Sequence, residues 1–399
     1  MKQAFKWLFK VLGCLWGLLT RYKPILEYHR DRGGFDEMVR YIWAKFFLRG
    51  ERNGAGLLDP FIYLFPGKMK YPYMYEGEFT TRCSLSCKVC ERTYWKGGKS
   101  WAITYDDFVK FLDSIPNMKY FNPTGIGEFF LTPDWLKILQ EFQRRHIYVN
   151  IVDNFAHRTD EQIRALVDTG VERVFISLDG ATKKTYEKMR PGAEWETTIA
   201  NIRKLQAYRK EKNSPIPEIC YKYIICKDTY LEIGEFIEMI GTDLRTTPEA
   251  GGDNLVEFLG LMEFPEIQGG GVDTPAAVIQ FAEWLGKKYG LQVMWAHHQF
   301  NTRKGMKSCV VWQEPFIIQG KYVLPCCAVL VRNDRERLVK YAMGDLTKNT
   351  FREIWDTPRY KKFRLQFKDS KSSVDPICQD CRVFNTNCRE KERGITEIA

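Results

Sequence analysis

The chain has 399 residues, 44% hydrophobic and 28% charged, with no low-complexity tract or clear internal repeat, which excludes a disordered or solenoid protein and allows two or three domains around at least one large core. A net charge of +10 fits nucleic acid, an anionic membrane surface or an acidic substrate, but the basic residues are spread along the chain and cluster only at the amino terminus and around Lys361, Lys362 and Arg364. Solvated surface charge therefore stands beside those readings, and no nucleic-acid partner is expected.

The amino terminus reads MKQAFKWLFKVLGCLWGLLTRYK. Its uncharged stretch, Val11 to Thr20, is too short to span a bilayer. Phe5, Leu8, Phe9, Leu12, Leu15, Trp16 and Leu19 recur at helical spacing with basic residues at the ends, the pattern of an amphipathic helix lying on a membrane. A helix packed on the protein body and a cleaved signal peptide are the alternatives. Residues 1–74 carry no cluster motif and form an N-terminal helical extension. The protein is expected in the cytoplasm, with peripheral membrane contact through residues 1–23.

From 75 to 300, short β-like runs alternate with helical patterns. YMYEGEFTT (73–81), YVNIVDN (148–154), RVFISLDG (173–180), EICYKYIIC (218–226) and NLVEFLGLMEF (254–264) read as strands. DEQIRALVDTG (160–170) and TYLEIGEFIEMIG (229–241) read as helices, the first stopping at Gly170. The alternation predicts an α/β fold with a parallel sheet, open or closed into a barrel, and a ligand at the carboxyl ends of the strands. Residues 301–399 differ: a hairpin-like run, FIIQGKYVL, turns at Gln319 and Gly320, a helix-like stretch, FREIWDTPRYKKFRLQF, follows, and cysteines flank both. This is a small α+β domain organised around metal.

Twelve cysteines at ligand-like spacings indicate metal or clusters in a reducing compartment, in place of the disulfide framework of a short secreted scaffold. Cys83, Cys87 and Cys90 form a C-x3-C-x2-C run just after the first predicted strand. Three thiolates on a tight loop can each bind one iron of a [4Fe–4S] cube, leaving the fourth iron open to a small molecule. A zinc site prefers four closed ligands, and no fourth ligand lies nearby in sequence. Structural zinc in a non-catalytic binding protein is the competing reading.

This loop resembles that of the radical S-adenosylmethionine (SAM) superfamily, with Val89 where an aromatic residue is usual. The resemblance implies that the open iron chelates the SAM amino and carboxylate groups, and that one electron cleaves the sulfonium to a 5′-deoxyadenosyl radical that abstracts hydrogen from substrate. It continues in PTGIGE (123–128), where Gly125, Gly127 and Glu128 match the family's glycine-rich segment facing the SAM amino group and Phe129 replaces the usual proline. Asn154 matches a strand-end asparagine, with Phe155 replacing glycine. Ser177 and Asp179 match the segment after the next strand. Ser177 is implied to contact SAM; Asp179 either does so or caps the following helix. Arg190 matches a family arginine suited to the SAM carboxylate, or makes a surface ion pair. These matches cover roughly 75–260 and imply a partial (β/α)6 barrel.

The tail resembles the SPASM domain that follows the barrel in many relatives. Its cysteines suffice for one auxiliary [4Fe–4S] cluster, with Cys309, Cys326, Cys378 and Cys381 as implied ligands. Cys327 is an alternative to Cys326, Cys388 is unplaced, and a zinc ribbon is the competing reading. Cys14, Cys220 and Cys226 read as core thiols. His297 and His298 either face substrate or are an ordinary surface or core pair. Phe79, Tyr94 and Trp95 are expected to pack over the cluster loop.

The implied enzyme is an oxidoreductase or transferase using SAM, with a reductant such as flavodoxin or ferredoxin. The amphipathic amino terminus favours a lipid-linked or membrane-presented substrate; peptide or protein side chains are the alternative. The expected division is 1–74 extension, 75–300 radical SAM core and 301–399 auxiliary cluster domain.

Overall fold

The computed structural model describes residues 22–45, 71–95, 100–245, 255–261, 264–295, 314–332, 334–366 and 375–378. Residues 1–21 lie outside this set, as do Cys309, Cys381, Cys388, His297 and His298.

An N-terminal helix α1 (Lys23–Ile42) precedes a ten-stranded sheet. Strands β1 (Met74–Gly77), β2 (Tyr120–Pro123), β3 (Tyr148–Asp153), β4 (Arg173–Ser177), β5 (Glu218–Ile225), β6 (Leu255–Gly260) and β7 (Gln292–Trp295) lie in chain order and pair in parallel. Helices connect them: α2 (Glu91–Tyr94) and α3 (Tyr105–Ser114), α4 (Trp135–Arg144), α5 (Asp160–Asp168), α6 (Lys183–Met189) and α7 (Trp195–Glu211), α8 (Ile233–Thr242), and α9 (Ala276–Tyr289). The strand order runs from β10 to β7 without closing, so this is a partial barrel. The hairpin β8 (Phe316–Ile318) and β9 (Tyr322–Leu324) extends the sheet at β1, with β8 parallel to β1. Helix α10 (Arg335–Lys340), β10 (Gly344–Asp345), α11 (Phe351–Asp356) and α12 (Pro358–Leu365) complete the described C-terminal part.

Local chemistry sets the element ends. Thr159 and Gln162 form a capping box at α5, and Gly170 ends that helix with φ +72°. Gln319 and Gly320 both have positive φ, the pairing that a two-residue hairpin turn requires. Three expectations are corrected. The first strand covers only Met74–Gly77, leaving 78–81 as loop. The helix predicted over 229–241 starts as a 3-10 turn, Tyr230–Glu232. FREIWDTPRYKKFRLQF is two helices, because Thr357 is extended (φ −58°, ψ 147°) before Pro358 and its side chain caps the second one.

The two faces of the barrel differ. On the outer face Ile151, Val174, Ile176, Tyr221, Tyr223, Val256 and Phe258 are buried in the main core under the helices. Each such side chain contributes about 1.5–3 kcal/mol of burial. The inner face is mixed: Val152, Phe175, Cys220 and Leu255 share it with amide and charged side chains. Asn122 Nδ2 donates to Glu76 (3.0 Å) and Asn150 Nδ2 to Asn122 (2.9 Å), while Lys222 lies 3.2 Å from Glu257.

The amino ends of β4 and β5 are sealed by the segment around α1. Lys45 pairs with Glu172 and sits 3.9 Å from Glu218, and Tyr41 donates to Glu172 (3.2 Å). All four side chains are buried. The open mouth is thus at the carboxyl ends of the strands. Among the described residues no helix is long and apolar enough to cross a membrane.

Candidate active site

The loop carrying Cys83, Cys87 and Cys90 leaves the carboxyl end of β1 and is pinned from outside. Ser86 N donates to Pro191 O (3.1 Å) and Lys88 N to Met189 O (3.0 Å). Thr93 Oγ1 donates to Cys87 O (2.8 Å), and Arg92 Nε to Thr81 O (2.7 Å). The segment 189–191 therefore grips the loop by its backbone, which sends the intervening Arg190 side chain inward. Arg190 Nη1 donates to Cys87 Sγ (3.7 Å) and Nη2 to Asp179 Oδ2 (2.5 Å).

Burial raises all three thiols above the usual cysteine range, Cys90 to about 12. The Arg190 guanidinium opposes this at Cys87. Such thiols need a metal to hold them as thiolates. Among the described residues no group of three His, Cys, Asp or Glu side chains closes on a single metal ion. In a cube each thiolate meets a different iron, so convergence on one point is not needed.

The glycine-rich segment lies against this loop. Gly125 has φ +136°, and a Cβ there would run into the Glu78 side chain. A Cβ on Gly127 would strike the Thr80 carbonyl. Only glycine permits backbone to approach this closely. Glu128 N donates to Arg82 O (2.8 Å). The Glu128 carboxylate accepts from Ser84 N (3.0 Å) and Ser84 Oγ (2.7 Å), with Cys83 Sγ at 3.8 Å, and pairs with Arg158. It serves the cluster loop directly.

Arg158 also lies 3.4 Å from Asp153 and over the Phe130 ring. Asp153 accepts from Phe155 N (2.7 Å), and Asn154 Oδ1 accepts from Ala156 N (2.8 Å). Phe155 takes φ +59°, so it keeps the left-handed backbone that glycine adopts readily. Asp179 is fully buried and accepts from Ile224 N (2.8 Å) as well as Arg190. It does not cap α6; Thr182 does. Ser177 stands at the inner end of β4, in register with Lys222.

Around one loop the structure thus joins Cys83 to Glu128, and Cys87 to Arg190 and Asp179, with Cys90 on the loop, Gly125 and Gly127 packed on the residues just before it, and Asn154 next to Asp153. Sequence reading missed Arg158, Ser84, Glu78 and Arg335. Two acids at strand spacing in YEGE (75–78) were an available signal for Glu78. Phe79 departs from expectation: its ring stacks on Phe121 at 5.1 Å and meets Phe108 and Phe111 in the helix-covered core. Tyr94 Oη does donate to Lys88 O (3.2 Å) in the loop.

In the C-terminal part, Cys326 and Cys378 are buried in the core with Trp355 and Tyr360, and Gln366 Nε2 lies 3.9 Å from Cys378 Sγ. Cys327 differs: its thiol is beside Glu76, with the charge of Lys222 also felt there, and burial together with Glu76 holds it protonated. Soft thiolate donors, a backbone cradle and buried charge around one open loop fit an iron–sulfur cluster with a small ligand.

The comparisons agree with this geometry. A family model described as the Radical SAM superfamily matches residues 78–238, and the SPASM model, an iron–sulfur cluster-binding domain, matches 309–382. The chain is 24% identical over 337 residues to the tungsten-containing aldehyde ferredoxin oxidoreductase cofactor-modifying protein of Pyrococcus furiosus, covering 79% of this chain and 88% of that one. It is 28% identical over 138 residues to the AdoMet-dependent heme synthase of Methanosarcina barkeri, covering 34% and 39%. Among solved structures it resembles Streptococcus suis SuiB bound to S-adenosylmethionine (TM-score 0.58, 13% identity, 83% of this chain and 74% of that one). It also resembles anSMEcpe with bound AdoMet (TM-score 0.53, 15% identity, 79% and 88%).

Proposed function

Because the chain belongs to the radical SAM superfamily and carries a SPASM domain after its barrel, we propose that it cleaves SAM reductively and abstracts hydrogen from a polar substrate held inside the barrel. The bound cluster supplies the electron that splits the sulfonium to a 5′-deoxyadenosyl radical. Cys83, Cys87 and Cys90 hold that cluster, and Gly125 and Gly127 bring backbone to the SAM amino group. Glu128 and Arg190 fix the loop from two sides, Asp179 orients Arg190, and Asn154 and Ser177 line the SAM side of the mouth. Cys309, Cys326, Cys378 and Cys381 hold one auxiliary [4Fe–4S] cluster, and a flavodoxin or ferredoxin supplies electrons. The chain divides in this reading into 1–74 extension, 75–300 radical SAM core and 301–399 auxiliary cluster domain.

The observation that carries this reading is the pinned loop: a C-x3-C-x2-C run gripped at 189–191, with Arg190 on Cys87 and a glycine cradle beside it. The amide and charged side chains on the inner face, Glu76, Asn122, Asn150, Lys222 and Glu257, support the substrate class.

The substrate is lipid-linked or presented at a membrane in this reading, with the protein cytoplasmic and peripheral. Residues 1–23 support it by sequence, and Phe35, Val39 and Trp43 add an exposed stripe at i, i+4 and i+8 on and just after α1. Peptide modification is the second reading, favoured by solved neighbours bound to peptides, among them SuiB with its precursor peptide SuiA.

Anaerobic reconstitution followed by SAM cleavage assays tests the reaction. Flotation with anionic vesicles, with and without residues 1–21, tests the membrane contact: loss of flotation on truncation supports it, and no flotation of the full chain refutes it.

A further inference from the structure

Glu78, the residue after β1, is 2% exposed. Its side chain fills the space under Gly125 that a Cβ would need. Its Oε1 accepts from Ile126 N (3.4 Å) and from Arg335 Nη2 (2.6 Å). Arg335 is 257 positions further along the chain, at the start of α10. The same guanidinium lies 3.7 Å from Glu91 Oε1, on the residue after Cys90, and 5.8 Å from the Trp95 ring. One cation from the C-terminal part thus reaches both the glycine cradle and the end of the cluster loop. Two atoms of this pair, Glu78 Oε2 and Arg335 Nη1, are buried without a partner.

We propose that Arg335 is a positioning residue for SAM, which makes the shape of the cradle conditional on docking of the C-terminal domain. The proposal rests on reading the cradle as the SAM site. Without Arg335, Glu78 loses the cation that holds it against Gly125 and Ile126. A buried charge stripped of its partner reorganises its surroundings. Here the surroundings are the backbone that meets the cofactor. A merely structural ion pair would alter stability alone.

The test compares the full-length protein with Arg335→Met, Arg335→Lys and the double variant Arg335→Met/Glu78→Gln. The first readout uses metal-free protein, where hydrogen exchange is followed over 124–128. Exchange should quicken in Arg335→Met, hold near the unsubstituted rate in Arg335→Lys, and be less perturbed in the double variant, which removes the stranded charge. The second readout is the equilibrium constant for SAM on iron-loaded protein. Arg335→Met should weaken it about tenfold, the scale of coupling through packed networks, with iron content unchanged. Unaltered exchange over 124–128 together with unaltered SAM affinity would overturn the proposal, as would a uniform rise in exchange across the chain. Unsubstituted protein that loads iron yet binds no SAM would instead defeat the proposed function, and the metal-free exchange result would still decide the role of Arg335.

Discussion

Arg190 and Asp179 form a buried ion pair, Nη2 to Oδ2 2.5 Å, directly behind Cys87. Asp179 is itself fixed by the amide of Ile224 on the neighbouring strand. The pair transmits the position of β5 to the cluster loop: strand, carboxylate, guanidinium, thiol. Sequence resemblance placed both residues toward SAM. The geometry gives them a prior task in holding the loop.

Asp179→Asn should expose that task. It leaves Arg190 buried beside a neutral amide, and breaking a buried pair costs about 3–5 kcal/mol. Denaturant unfolding of the metal-free protein should show a loss of that order, and the iron-loaded protein should retain less cluster. A change under about 0.5 kcal/mol, the scale of an ordinary surface substitution, would show that the pair holds nothing.

The glycine cradle predicts an asymmetry. Gly127→Ala drives a Cβ into the Thr80 carbonyl, which cannot move without the cluster loop. Gly269, unlike Gly127, has positive φ (+76°), but nothing lies within 4 Å of its would-be Cβ, so Gly269→Ala carries only backbone strain, about 1 kcal/mol. SAM binding should be lost in the first and kept in the second. Equal binding in both would remove the cradle from the account.

Cys326 and Cys327 are adjacent and sequence spacing does not choose between them. Their surroundings differ: Cys326 is buried near Tyr360, and Cys327 sits beside Glu76; Cys326 is the proposed ligand. Cys326→Ser should remove about four irons per chain, one cube, and Cys327→Ser should remove none. The opposite pattern in iron analysis would exchange their roles.

Glu141 gives a pH dependence remote from the site. Hydrogen bonds from Arg144 and Arg145 hold its carboxyl down at about 2. A carboxylate whose folded value is depressed adds stability above its unfolded value, and loses it as pH falls through the folded one. Glu141→Gln should therefore be about 1 kcal/mol less stable near neutral pH, a gap that closes as pH drops toward about 2. A gap that persists in acid would assign the effect to packing.

What was legible in the sequence follows from range. The cluster loop, the strands around YVNIVDN and RVFISLDG, and the turn at Gln319 and Gly320 are written in a few adjacent residues. Glu78 and Arg335 are not, because their meaning is a contact made 257 positions apart. Phe155 hid a backbone conformation: φ +59° is not visible in a phenylalanine. Phe79 was misplaced because a residue near the cluster loop in sequence points to the other face of the sheet.

The most direct test purifies the full chain without oxygen, counts iron and sulfide, reduces it and measures 5′-deoxyadenosine formed from SAM. The account predicts brown protein with about eight irons, two cubes, that forms the product and loses that activity in Cys87→Ala while keeping about four. Colourless protein carrying zinc at Cys83, Cys87 and Cys90, with SAM left intact, would contradict it.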